Sequence, residues 1–274
     1  MRDYTPCMRR AVIALLAFLL LLPLAAHAQD WAKARLDQSP RHHEYVSLKH
    51  GDRTVQAFVV YPEVNHKAPV VIMIHEIFGL TDWAREMADE IAAKGYIVVA
   101  PDLLSGHGPQ GGGSSEFASQ DDAVKAVSGL NPDDVNADLD AAADYAKKIP
   151  SANGKLAVAG FCWGGGVINQ LAVNDPSLDA GVVYYGTPAE PSEAAKVHAA
   201  LLLNYADAGL DKRNGELAPP YAEALKAAGK DYQLYFYDGA QHAFNDDTNA
   251  ARYNKQAADL AWSRTLALFA KTLA

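Results

Sequence analysis

Leu156-Ala-Val-Ala-Gly160-Phe-Cys162-Trp-Gly164-Gly-Gly-Val-Ile168 is the stretch on which the rest of the chain turns. A short apolar run ends at Gly160, and an apolar, helix-compatible run begins at Gly164. Between them one cysteine is flanked by glycines two residues before and two residues after it. This is the strand–turn–helix elbow of a nucleophile, with Cys162 where a serine is commoner. The turn is sharp, and neighbours two residues away pass too close to carry a Cβ. The sulfur then projects above the sheet at the positive end of the following helix, where a thiolate is favoured.

Composition bounds the problem. The 274-residue sequence is 50% hydrophobic and 21% charged, with a formal net charge of −9. These values fit an ordinary globular protein, and the acidic balance argues against nucleic acid or an anionic membrane surface as partner. At the N-terminus Arg9-Arg10 precede an unbroken apolar run from Ala11 to Leu22, and Ala26-His27-Ala28 has the small-x-small form of a cleavage site. Residues 1–28 are therefore expected to be an export signal cut before Gln29, leaving 29–274 as one domain with no stable membrane anchor. The apolar run is shorter than the ~20 residues needed to span a bilayer. The expected destination is the periplasm or the exterior. Of the two cysteines, Cys7 leaves with the signal. Exported proteins usually pair their cysteines or lack them, so a solitary thiol in an elbow reads as chemistry rather than packing.

Along the chain, residues 29–53 are polar, and His42, His43 and His50 are expected on a solvated surface, since no metal-ligand spacing accompanies them. Strands are expected at Thr54–Tyr61, Pro69–His75, Tyr96–Ala100, the run ending at Gly160, Ala180–Tyr185, Ala199–Tyr205 and Tyr232–Tyr237. Thr81 caps a helix carrying Trp83, Met87 and Ile91, stopped by Gly95. Asn131 caps another, with Pro132 at its first position, Asp133-Asp134 at its positive end, and Lys147-Lys148 closing it. A helix around Tyr221–Ala228 and a terminal helix carrying Trp262, Leu266, Phe269 and Leu273 complete the set. Ser105–Asp121, with five glycines and one proline, reads as either a flap over a pocket or a disordered excursion. Strands alternating with helices, several of them continuous apolar runs, imply an α/β fold with a mostly parallel sheet covered on both faces.

In such sheets the carboxyl ends of the strands carry the site. Cys162 comes first, an aspartate follows the Ala199–Tyr205 strand, and His242 follows Tyr232–Tyr237. Nucleophile, acid, histidine is the chain order of α/β-hydrolases. Both Asp207 and Asp211 lie in the acid's loop; Asp211, further along, is better placed to reach back.

His75-Glu-Ile-Phe-Gly-Leu80, Gly160-Phe-Cys-Trp-Gly-Gly165, Gly209-Leu-Asp-Lys212 and Gly239-Ala-Gln-His-Ala-Phe244 resemble the marker segments of the dienelactone hydrolase family. The resemblance covers essentially the whole of residues 29–274. It implies an α/β-hydrolase fold and a Cys-Asp-His triad, falling here on Cys162, Asp211 and His242, and its spacing favours Asp211 over Asp207. It also implies that Glu76 contacts the resting thiol and couples thiol ionisation to substrate binding. Two backbone N–H groups form the oxyanion hole. Trp163 supplies one by the elbow rule, and the resemblance assigns the other to Ile77.

The expected activity is cofactor-free and metal-free hydrolysis of a small-molecule ester or lactone through an acyl-enzyme. A thioesterase or acyltransferase on the same triad is the enzymatic alternative; a non-catalytic binding protein with a redox-sensing thiol is the other. Family members that act on dienelactone bind its carboxylate with arginines. One of those positions holds Asp246 here, and the other falls in the stretch around Gly106-His107. A neutral or less acidic ester is therefore expected, in a pocket lined by Phe78, Trp163, Tyr185 and Phe244.

Overall fold

The computed structural model describes residues 24–274. The expected export signal lies almost wholly outside the described residues. Helix α1 (Leu24–Asp37) runs across the expected cleavage point.

Eight strands form one sheet: β1 (His43–His50), β2 (Arg53–Val60), β3 (Ala68–Ile74), β4 (Ile97–Pro101), β5 (Ala152–Phe161), β6 (Ala180–Tyr184), β7 (Ala200–Ala206) and β8 (Tyr232–Tyr237). Their order is β1-β2-β4-β3-β5-β6-β7-β8. The strands from β3 onward pair in parallel, and β2 joins β4 antiparallel. This is a mostly parallel α/β sheet of the α/β-hydrolase kind. β3, β4, β6 and β7 are buried almost throughout, which is why they read as unbroken apolar runs. From β3 the chain crosses out to β4, whereas from β5 it crosses the other way to β6. The crevice between the carboxyl ends of β3 and β5 is therefore a topological switch point, the place where such sheets bind ligands.

Helices cover both faces. On one lie α1, α2 (Asp82–Ala92) and α7 (Lys255–Thr272), whose Leu36, Trp83, Met87, Ile91 and Phe269 share a core with Met73 and Phe161. On the other lie α4 (Pro132–Lys148), α5 (Trp163–Asn174) and α6 (Lys212–Ala227), with Leu139, Ile168 and Tyr221 packed against Ile72 and Val158. Thr81 and Asn131 cap α2 and α4, their side chains accepting from Ala84 N and Asp133 N.

Three stretches depart from the sequence expectation. Residues 43–50 form β1, hydrogen-bonded to β2, rather than an irregular solvated surface. As an edge strand it buries little and carries Glu44, Lys49 and histidines, which conceals the alternation. His50 is bonded to the buried Asp138 at 2.5 Å, and His43 packs on Phe58 at 5.5 Å between ring centroids.

The Ser105–Asp121 stretch is neither flap nor disordered excursion. Asp102 accepts from Ser114 N at 2.8 Å and Ser114 Oγ at 2.6 Å, and Glu116 accepts from Gln110 N and Gly112 N. Ser119 then caps α3 (Gln120–Ser128). Helix α6 starts nine residues before the expected Tyr221, at Lys212, because Pro219-Pro220 lie inside it and read in sequence as a break.

Candidate active site

Cys162 sits between β5 and α5 with φ 52° and ψ −114°, a backbone conformation that L-residues avoid. The flanking glycines permit it. A Cβ on Gly160 would lie 2.8 Å from the backbone of Gly164, and one on Gly164 would lie 2.4 Å from His75 O. The other non-glycine residues at positive φ are Tyr185 and Ala243, one following β6 and one following His242. Strain in the described chain is thus concentrated around the sulfur, as it is at sites that over-determine a geometry.

His242 comes from the loop after β8 and presents Nε2 3.2 Å from Cys162 Sγ. Its Nδ1 lies 2.9 Å from Asp211 Oδ2, so the carboxylate selects the Nδ1–H tautomer. Burial disfavours the imidazolium, but hydrogen bonds to Asp211 and to Cys162 outweigh it and push His242 up to about 9. Burial likewise acts to raise Asp211, yet its bond to His242 and the donors of Asn214 leave it below the usual carboxylate range.

Asp211 is the N-cap of α6, accepting from Asn214 N, while Asn214 Nδ2 donates to Asp211 Oδ2 at 3.0 Å and to Tyr185 O at 3.1 Å. Asn214 therefore ties the acid to the strained turn after β6. Its position three residues after the capping Asp211 is the one sign in the sequence that points to it. Asp207, the competing acid, points elsewhere. It accepts from Gly209 N and Gly239 N at 2.8 Å each and joins the loops after β7 and β8.

Glu76 follows β3 and is only 4% exposed. Burial, then the nearby Asp246 and Cys162, raise it well above the usual carboxylate range. Among the described residues its side chain makes no hydrogen bond to Sγ; the thiol faces His242 instead. Neighbouring His75 is fully buried, with Nδ1–H donating to Glu76 O at 2.8 Å and Nε2 accepting from Leu103 N at 3.3 Å. It stacks on Trp163 with centroids 5.6 Å apart, fixing both walls of the crevice. The N–H groups of Ile77 and Trp163 find no acceptor among the described residues, and both residues border the same cavity as Cys162.

That cavity has a volume of about 720 Å³ and includes Cys162, Tyr185, Asp211 and His242 in its lining. Two expected pocket residues are absent from its wall. Phe244 is fully buried and packs edge-on against Tyr185 at 5.2 Å, in the core beneath the site. Phe78 is half-buried on the loop after β3 and also lies outside the lining. Phe244 thus fills the core, whereas the expected Trp163 and Tyr185 do line the cavity. Asp246 is likewise buried, accepting from Thr248 N and Oγ1, and does not face the cavity. His107 stands beside Arg53, also away from the cavity.

Residues 55–273 match the model of the dienelactone hydrolase family. The chain belongs to this family. A protein of Escherichia coli O157:H7, provisionally named a carboxymethylenebutenolidase, is 32% identical over 213 residues, 73% of this chain and 76% of the relative. One from Methylorubrum extorquens with the same provisional name is 30% identical, covering 80% of this chain and 77% of the relative. The crystal structure of a provisionally named dienelactone hydrolase from Klebsiella pneumoniae subsp. pneumoniae superposes with a TM-score of 0.74 at 28% identity. That match covers 84% of this chain and 98% of the other. This member of the dienelactone hydrolase family is accordingly a hydrolase with the α/β-hydrolase fold.

Proposed function

We propose that the protein hydrolyses esters or lactones through a thioester acyl-enzyme on Cys162. The observation that carries the reading is the linked pair of contacts Sγ–Nε2 at 3.2 Å and Nδ1–Oδ2 at 2.9 Å, opening on a cavity large enough for an organic substrate. His242, held up to about 9, carries a proton at neutral pH and presents Nε2 to the sulfur it activates. The thiolate attacks the carbonyl carbon, and the C=O electron pair moves onto oxygen. The N–H groups of Ile77 and Trp163 receive that oxyanion. As the carbon–oxygen bond to the leaving group breaks, imidazolium Nε2–H protonates the departing alkoxide. His242, now neutral, takes a proton from water, and the hydroxide equivalent attacks the thioester carbonyl. Collapse of that intermediate breaks the carbon–sulfur bond, releases the acid and returns the sulfur as thiolate beside protonated His242.

Asp211 and Asn214 hold the ring rather than exchange protons. Burial disfavours the charged form of Glu76 near the sulfur, which limits the negative charge facing the nucleophile. The small-molecule substrate, the export of the chain and its periplasmic or extracellular location belong to the same proposal.

On p-nitrophenyl acetate, Cys162→Ala and His242→Ala should lose at least about 10³-fold in kcat, and Asp211→Asn about 10²–10⁴-fold. Turnover near wild type in the cysteine variant would refute the assignment.

A further inference from the structure

The cavity is longer than the chemistry requires. From Cys162 its floor follows one face of α5, through Trp163, Gly166, Val167 and Gln170 to Asn174. At 1.5 Å per residue, Cys162 to Gln170 spans about 12 Å and Cys162 to Asn174 about 18 Å. The opposite stripe of the same helix, Ile168, Leu171 and Ala172, is buried in the core, so the helix is fixed and its cavity face is left as a shelf. The far wall is the start of α4, where Leu130 and Val135 also border the cavity. On the α5 side the lining near the sulfur is Trp163, Gly166 and Val167, opposite the polar cluster of His242, Asp211 and Asn214, and beyond Val167 the shelf passes to exposed amides at Gln170 and Asn174. The charged lining residues Asp133 and Arg213 are exposed too, with no ion-pair partner among the described residues. Asp211 is already committed to His242. On the α5 shelf itself no residue is charged; the two exposed charges lie off it, Asp133 at the start of α4 and Arg213 at the start of α6.

We propose that the substrate is an ester with one long, uncharged, largely apolar arm lying along α5 from Cys162 to Gln170, and that Val167 and Gln170 set the length it accepts. This rests on the thiol-hydrolase reading above, and deepens it by naming the substrate class. A bound arm covers Val167 and Leu130 and removes apolar surface from water, so each added carbon strengthens binding until the chain passes Gln170. Beyond that point the amides and solvent offer no further gain.

The test compares two series on the full-length protein: p-nitrophenyl esters from acetate to dodecanoate, and n-alkyl acetates from ethyl to dodecyl. In one series kcat/KM should climb at least about tenfold between the shortest member and an eight-carbon arm, then level off. Val167→Trp and Gln170→Trp should each shift the plateau to shorter arms and cut the long-to-short ratio at least about tenfold. Gln170 is an exposed helical position, so its variant remains decisive where Val167→Trp fails to fold, as judged by thermal melting. Flat profiles in both series, or a ratio that Gln170→Trp leaves untouched, would overturn the groove assignment while leaving the triad standing. Absence of turnover on every ester would overturn the hydrolase reading itself.

Discussion

At the scale of single residues, the site is a problem of where protons reside. His242 is held up to about 9 by Asp211 and the thiol, against its burial. In the proposed mechanism the ring carries, below that pH, the proton it gives to a leaving group, and above it that general acid is lost. An alkyl ester, whose alkoxide needs that proton, should therefore lose kcat/KM as pH rises through about 9. A p-nitrophenyl ester, whose phenolate leaves unaided, should stay level across the same range. Parallel pH–rate curves for the two substrates would contradict this.

Glu76 makes the opposite kind of prediction. Its folded-state carboxyl is raised by burial above its unfolded value, so its contribution to stability is intact below the ordinary carboxylate range and lost as pH rises through the raised value. Glu76→Gln should accordingly be more stable than wild type at pH 7, with the difference closing near pH 4. In melting experiments each kcal/mol gained appears as about 2–4 °C. A variant equally shifted at both pH values would disprove an ionisation origin.

At the scale of elements, the active loops are held by partners far from them in sequence. Arg35 on α1 bridges Glu86 and Glu90 of α2 and reaches Asp247, in the loop that carries His242, at 3.7 Å. Glu86 is 3% exposed and has one carboxyl oxygen without a hydrogen-bond partner, so removing the guanidinium leaves a buried acid among other acids. Arg35→Met should destabilise the protein by roughly 1.5–3 kcal/mol, measured by denaturant unfolding at neutral pH. A change within about 0.5 kcal/mol would show that α1 merely lies on the surface.

What the sequence disclosed at this scale followed burial. β3, β4, β6 and β7, covered on both faces, stand out as apolar runs. β1 did not, because an edge strand with one buried leucine looks like surface. α3 was concealed in a glycine-rich stretch whose order comes from Asp102 and Ser114, residues that meet only in the fold. The first half of α6 was hidden behind Pro219-Pro220.

At the scale of the whole molecule, the sheet order brings the loops after β3, β5, β7 and β8 to one end, and the chain order of Cys162, Asp211 and His242 anticipated their meeting. Chain order carries that information because each residue leaves the carboxyl end of a parallel strand. Contacts between loops carry no such mark. The bridge by Asn214 from Asp211 to the Tyr185 carbonyl, the diversion of Asp207 to Gly239, and the burial of Phe244 and Asp246 depend on how the loops pack once assembled. For that reason the meeting of Cys162, Asp211 and His242 was legible while the pocket wall was not.

The central claim is that the sulfur of Cys162 carries the acyl group during turnover. The most direct measurement is intact-mass spectrometry of protein mixed with p-nitrophenyl ester and quenched in acid within the first turnover, followed by peptide mapping. The account predicts a mass increase equal to the acyl group, located on the peptide holding Cys162, decaying as substrate is exhausted and absent from Cys162→Ala. Steady hydrolysis with no acyl mass at any quench time, or an acyl group mapped to another residue, would contradict it.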